Sequence, residues 1–80
     1  MPKVTVYSRP GCGLCEEIIE QLQALRREAD FEWEEVNIDA DPLLRLRYNE
    51  DVPVIAIDGE DAFYHRLDSR EFLERLTASS

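Results

Sequence analysis

The sequence predicts an α/β fold in the order β-α-β-α-β-β-α, with a four-stranded mixed sheet flanked by helices. Three observations carry this. An apolar segment, Val4-Thr5-Val6-Tyr7, leads into a stretch from Cys15 to Leu25 whose apolar residues recur at helical spacing. Val54-Ile55-Ala56-Ile57 is a continuous apolar run with no polar alternation, the mark of a strand covered on both faces. Asp58-Gly59 follows it at once and signals a tight hairpin.

The elements follow in order. Val4 to Tyr7 is the first strand. Ser8-Arg9-Pro10-Gly11 is a turn whose proline and glycine stop the strand and lead into a helix. Cys15, Ile18, Ile19, Leu22 and Leu25 form the apolar stripe of that helix, with Glu16, Glu17, Glu20 and Arg26 on its other faces. Phe31 to Ile38 is a second strand, in which Phe31/Trp33 and Val36/Ile38 each keep period two but out of phase. A bulge or twist between the pairs would reconcile them. Asp41-Pro42 supplies an N-cap and a proline at the first helical position. The short helix they open carries Leu43, Leu44 and Tyr48, with Asn49 as a left-handed terminator.

After the buried third strand the chain returns, from about Ala62 to Arg66, as an antiparallel edge strand. Asp68-Ser69-Arg70-Glu71 has capping-box spacing with Asp68 as the cap, and opens a last helix packing Phe72, Leu73 and Leu76. The first crossover is expected to be right-handed, making its two strands parallel. Cys12 then lies beyond the carboxyl end of a sheet strand, where open α/β sheets hold their sites.

Eighty residues form one domain, 1–80, with room for a single small core. No linker, low-complexity run or internal repeat divides it. The start, Met1-Pro2-Lys3-Val4, passes straight into a strand and contains no apolar signal region. No apolar stretch approaches the length of a membrane span. A cytoplasmic protein is expected, with no membrane partner. The net charge of -9 opposes nucleic-acid binding, which needs a basic surface. It reads as an acidic, solvated exterior that repels anionic partners at long range.

The chemistry is concentrated in Cys12-Gly13-Leu14-Cys15, which holds the only two cysteines of the chain. Three residues apart on one helix face, the thiols are near enough to close a disulfide. In a cytosolic setting such a pair is seldom a structural staple, because cellular reductants keep it reduced. Two thiols and one histidine, His65, fall short of a tetrahedral zinc set. No metal site and no bound cofactor are therefore expected, and His65 is given no role.

Placement separates the two sulfurs. At the helix start Cys12 faces unpaired N–H groups and the positive end of the helix dipole, which favour the thiolate. Arg9 is close in sequence and adds positive charge, whereas Glu16 and Glu17 oppose ionisation. Cys12 is thus expected to ionise more readily than a free thiol. Cys15 belongs to the buried stripe, which makes it a poor first nucleophile and a suitable resolving thiol. Val52-Pro53 stands directly before the third strand. Read alone it is a trans proline at a strand's first residue. A cis bond there would leave the Val52 backbone free to pair with an extended substrate.

With these pieces assembled, the chain resembles the glutaredoxin-like branch of the thioredoxin superfamily. The resemblance rests on Val6-Tyr7-Ser8-Arg9-Pro10-Gly11-Cys12-Gly13-Leu14-Cys15, Val36-Asn37-Ile38-Asp39, Asp41-Pro42 with Arg47-Tyr48, and Val52-Pro53-Val54, in that order over nearly the whole chain. It implies a thioredoxin fold, dithiol–disulfide exchange, a cis bond before Pro53, Cys12 as nucleophile and Cys15 as resolving cysteine. Typical members also carry a Gly-Gly step after the closing hairpin that holds the γ-glutamyl end of glutathione. Here that region reads Ala62-Phe63-Tyr64-His65-Arg66-Leu67-Asp68, and the pair between the cysteines is Gly-Leu in place of Pro-Tyr. Arg9 and Val52 are left to serve part of a glutathione site, with Pro53 beside them.

The expected function is a monomeric thiol–disulfide oxidoreductase acting on a disulfide-bearing protein or small molecule. Its electrons would come from glutathione or from a thioredoxin reductase. Two other readings stay open: metal or iron–sulfur binding through the cysteines of a dimer, and a redox-sensing interaction module without turnover.

Overall fold

A computed structural model describes residues 2–49 and 51–79, with the Ser79 side chain excluded. Met1, Glu50 and Ser80, which the single-domain reading includes, lie outside the described residues. Four strands and three α-helices follow in the expected order: β1 Lys3–Ser8, α1 Gly13–Leu25, β2 Glu32–Asn37, α2 Pro42–Tyr48, β3 Val54–Ile57, β4 Glu60–Tyr64 and α3 Ser69–Ser79. A 3₁₀ turn, Ile38–Ala40, joins β2 to α2. The strands lie in the order β2-β1-β3-β4, with β1 parallel to β2 and the remaining pairs antiparallel.

The sheet is covered on both faces. Val4 and Val6 of β1 and Ile55 and Ile57 of β3 point into the larger core, against Ile18, Leu22 and Leu25 of α1 and Phe72 and Leu76 of α3. Val54 points the other way, packing with Ile38, Tyr48 and the half-buried Tyr7 beneath α2. That is why β3 is apolar at every position, since neither of its faces meets water. Gln21 of α1 donates to the Leu67 carbonyl (2.7 Å) and the Ser69 hydroxyl (2.6 Å), fastening α1 to the start of α3.

Local signals explain most of the boundaries. Asp41 Oδ1 accepts from the Leu43 N–H at 2.9 Å, with Pro42 at the first helical position. Asp68 Oδ1 caps α3 by accepting from the Glu71 N–H at 3.0 Å. Asp58 and Gly59 both have positive φ, 50° and 88°, as the two central residues of a type I′ hairpin require.

Several expectations are corrected. β2 pairs with β1 in unbroken register from Lys3↔Glu32 to Ser8↔Asn37, without a bulge. An edge strand is half-covered on each face, so Trp33 and Val36 lie on opposite faces with no need to be brought into phase. The bulge lies instead between β3 and β4, where Ile55 pairs with Phe63 and Ala56 with Asp61, leaving Ala62 as the extra residue. β4 runs Glu60–Tyr64, so His65 and Arg66 lie beyond it. Asn49 is right-handed (φ −40°, ψ −51°) and does not terminate α2 by a left-handed turn. Leu43 is largely exposed, because α2 presents only Leu44 and Tyr48 to the sheet.

Candidate active site

β1 delivers the chain to the site. After Ser8 the backbone turns through Gly11, whose φ of +79° is a left-handed conformation that favours glycine. Cys12 follows as the N-cap of α1, with extended backbone (φ −89°, ψ 105°). Its Sγ accepts a hydrogen bond from the Cys15 N–H at 3.1 Å, taking the place of a capping oxygen. The two residues are joined by a disulfide, with Cα atoms 5.3 Å apart. Cys12 is half-buried at the surface and Cys15 is 2% exposed, because Cys15 falls on the stripe that α1 turns toward the sheet.

Arg9 finds its partners on the side of α2. Its guanidinium donates to Asp39 Oδ1 (3.0 Å) and to the Asn49 carbonyl (3.0 Å), bracing the active turn against the 3₁₀ turn and the end of α2. Asp39 is shared with Arg45 at 3.6 Å. The positive charge of Arg9 is therefore largely compensated by the carboxylate it touches.

The Val52–Pro53 peptide bond is cis. Pro53 is fully buried, and the Tyr7↔Val54 pairing sets it level with Ser8, the residue that ends β1. Its carbonyl accepts from the His65 N–H at 2.8 Å. His65 itself is exposed and has a φ of +66°, unusual for a residue with a side chain. The Val52 side chain packs at the margin of the smaller core.

Two depressions flank the active turn. One, of about 280 Å³, is lined by Arg9, Cys12, Cys15 and Glu16 together with Ser8 and Glu35. Val52 and Pro53 are outside its lining. The other, of about 320 Å³, lies on the Leu14 side and reaches His65, Arg66 and Leu67. The predicted residues thus fall into two groups: the cysteines and Arg9 around the first depression, and Pro53 tied to the second through His65.

Ser8 and Glu35 are site residues that sequence reading passed over. Ser8 is 3% exposed, and its hydroxyl donates to Glu35 Oε2 at 2.8 Å. Glu35 falls on the same face of β2 as Trp33, the face that carries Val4 and Val6 of β1, and no local spacing in the sequence links it to Ser8. Among the described residues no group of three or more His, Cys, Asp or Glu converges to hold a metal. No helix among them is long and apolar enough to cross a membrane.

Comparison with known proteins bears on the family and the fold. The family model described as a glutaredoxin-like domain matches residues 3–77. An uncharacterised protein of Mycobacterium tuberculosis is 27% identical over 84 residues, covering 99% of this chain and 87% of its own. A solution structure of a Nitrosomonas europaea protein superposes with a TM-score of 0.84 at 37% identity, covering 92% of this chain and 89% of that one. A crystal structure from X. campestris gives 0.72 at 31% identity, covering 94% and 96%. A thioredoxin variant from Halobacterium salinarum shares the fold, with a TM-score of 0.70 at 17% identity over 96% of this chain and 73% of its own.

Proposed function

The chain belongs to the glutaredoxin-like family of thioredoxin-fold proteins, and from that premise we propose that it is a thiol–disulfide oxidoreductase in which Cys12 attacks and Cys15 resolves. The observation that carries the proposal is the unequal burial of two cysteines joined across one helical turn at a helix N-terminus. In the reduced protein the Cys12 thiolate, supported by the helix N-terminus, attacks a disulfide sulfur of the substrate. One substrate thiolate leaves and a mixed disulfide forms at Cys12. Cys15 then attacks the Cys12 sulfur, the Cys12–Cys15 bond closes, and the second substrate sulfur departs reduced. The substrate gains two electrons and the protein loses two.

The substrate is a disulfide-bearing protein or small molecule, approaching along the exposed side of Cys12. Its backbone pairs with Val52 beside cis-Pro53, in the manner of an added strand. Arg9 serves by holding the active turn in place. Glutathione or a thioredoxin reductase returns the electrons, and the protein works as a monomer.

Turnover of a model disulfide with each electron donor tests the reading. Cys12→Ser is expected to abolish exchange, and Cys15→Ser to accumulate a mixed disulfide at Cys12 detectable by mass. Inertness of the wild type toward both donors, with iron or zinc bound in stoichiometric amount, would overturn it in favour of metal binding.

A further inference from the structure

The depression of about 320 Å³ on the Leu14 side of the active turn joins an apolar surface to an unpaired cation. We propose that Leu14 and Arg66 select the substrate as a protein segment that presents, beside its disulfide cysteine, an apolar side chain to Leu14 and a carboxylate to Arg66. The inference rests on the two-thiol reading above and narrows its substrate to acidic, apolar protein segments.

Leu14 stands between the two cysteines, yet it is 51% exposed, while Cys15 and Ile18 behind it are buried. Ile18 and Leu67, both buried, line the same depression. An apolar surface thus lies open two residues from the sulfur that meets substrate, and covering it removes apolar area from water. An apolar side chain next to the target cysteine does this. Glutathione, γ-glutamyl-cysteinyl-glycine, has no such side chain.

Arg66 supplies the charge. Eighteen Asp and Glu side chains accompany nine Lys and Arg in this chain, and six of those cations pair with a carboxylate. Arg66 is exposed, and no hydrogen bond or ion pair holds its guanidinium among the described residues. It is the one permanent cation of the depression, with Glu17 as the one acid and His65 as the remaining titratable group. Glu17 and Arg66 form no ion pair among the described residues. A substrate carboxylate completes the pairing that the chain leaves open.

The backbone holds Arg66 there against its own preference. The Arg66 N–H donates to the Tyr64 carbonyl at 2.7 Å around His65, whose φ is +66°, the strained form of γ-turn. The His65 N–H in turn donates to the Pro53 carbonyl at 2.8 Å, pinning this turn to the residue level with the end of β1. Strain of this kind persists where the surrounding structure over-determines it, and it gathers at ligand-binding positions.

The test is the reaction of the reduced protein with S-thiopyridyl peptides at physiological salt. Attack by Cys12 releases a thione that absorbs and leaves the peptide on Cys12. Four peptides place Leu or Ala on both sides of the cysteine, and Asp or Asn beyond them. Rate ratios are taken within each variant, so a change in Cys12 reactivity cancels. The wild type is expected to react fastest with the peptide bearing Leu and Asp. Arg66→Glu should lower the Asp-to-Asn ratio by about fivefold, the scale of an exposed ion pair. Arg27→Glu, at an exposed position outside the depression, changes the net charge equally and should move that ratio by less than about twofold. Leu14→Ser should lower the Leu-to-Ala ratio by about threefold and leave the Asp-to-Asn ratio alone.

A fall of less than about twofold in Arg66→Glu, or an equal fall in Arg27→Glu, overturns the proposal, since long-range charge would then account for it. A Leu-to-Ala ratio unmoved by Leu14→Ser overturns it too. So does S-thiopyridyl glutathione reacting with the wild type faster than the peptide bearing Leu and Asp. Thione release with no Cys12–Cys15 disulfide and no free peptide to follow would instead overturn the two-thiol reading, so the two failures are distinguishable.

Discussion

The phenol of Tyr48 donates a 2.9 Å hydrogen bond to Oδ1 of Asp61, tying α2 to the bulged edge strand across one face of the sheet. The bulge at Ala62 makes this contact possible by shifting Asp61 into register with Ala56, on the side facing α2. Tyr7 stacks on the Tyr48 ring at 4.5 Å, and Arg47 reaches Asp61 at 3.5 Å. Tyr48→Phe keeps the packing and deletes the hydrogen bond, so it should cost about 1 kcal/mol. In a domain of this size that lowers the thermal midpoint by about 4–8 °C. An unchanged midpoint would show that the bond carries no net stability.

The same pair sets a pH dependence. Burial, then the hydrogen bond to Asp61 and that residue's negative charge, raise the Tyr48 phenol pKa, with Arg47 opposing. In the unfolded chain the phenol ionises near pH ~10. Above that value the unfolded state has released a proton that the folded state still holds. The contribution of Tyr48 is therefore fully present below about pH 10 and is lost as pH rises from there toward the folded pKa. Urea unfolding across this range should show the wild type losing stability more steeply than Tyr48→Phe, and parallel curves would contradict the assignment.

The active turn separates charge that is spent from charge that acts. Arg9 is compensated by Asp39, while Glu16 lies four residues after Cys12 and lines the same cavity. Alkylation of the reduced protein by iodoacetamide should thus proceed in Arg9→Ala within about twofold of the wild type, and about twofold faster in Glu16→Gln, the scale of an i,i+4 charge effect. A tenfold loss of reactivity in Arg9→Ala, on the scale of about 1.4 kcal/mol, would mean that its charge acts on the sulfur directly.

What could be read from the sequence was what is local. The Cys12-Gly13-Leu14-Cys15 turn, the stripe of α1, the Asp58-Gly59 hairpin and the caps at Asp41 and Asp68 each depend on residues a few positions apart. The Ser8–Glu35 and Arg9–Asp39 contacts span 27 and 30 residues and exist only because β1 and β2 pair in parallel. Pattern alone also misjudged β2, where apolar residues serve opposite faces of an edge strand, and Leu43, whose apolar character does not bury it. Asn49 departs for a different reason: its side-chain and backbone oxygens receive Arg9, and its backbone stays helical while doing so.

Phe72 tests how far the site depends on the larger core. Its fully buried ring meets Phe31 edge-to-face at 5.2 Å and lies 6.4 Å from Phe63, so it joins α3 to the sheet that α1 also covers. Phe72→Ala removes this contact and should cost about 3–5 kcal/mol, a large share of what a domain this small possesses. Phe72→Leu fills most of the volume and should cost less than about 1.5 kcal/mol. Leu46→Ala, at a position 83% exposed on α2, should fall within about 0.5 kcal/mol of the wild type. Because Gln21 fastens α1 to the start of α3, loosening α3 in Phe72→Ala should also raise the alkylation rate of buried Cys15 in the reduced protein, with little change at Cys12. Equal alkylation of Cys15 in Phe72→Ala and the wild type would show that α1 keeps its seat without α3.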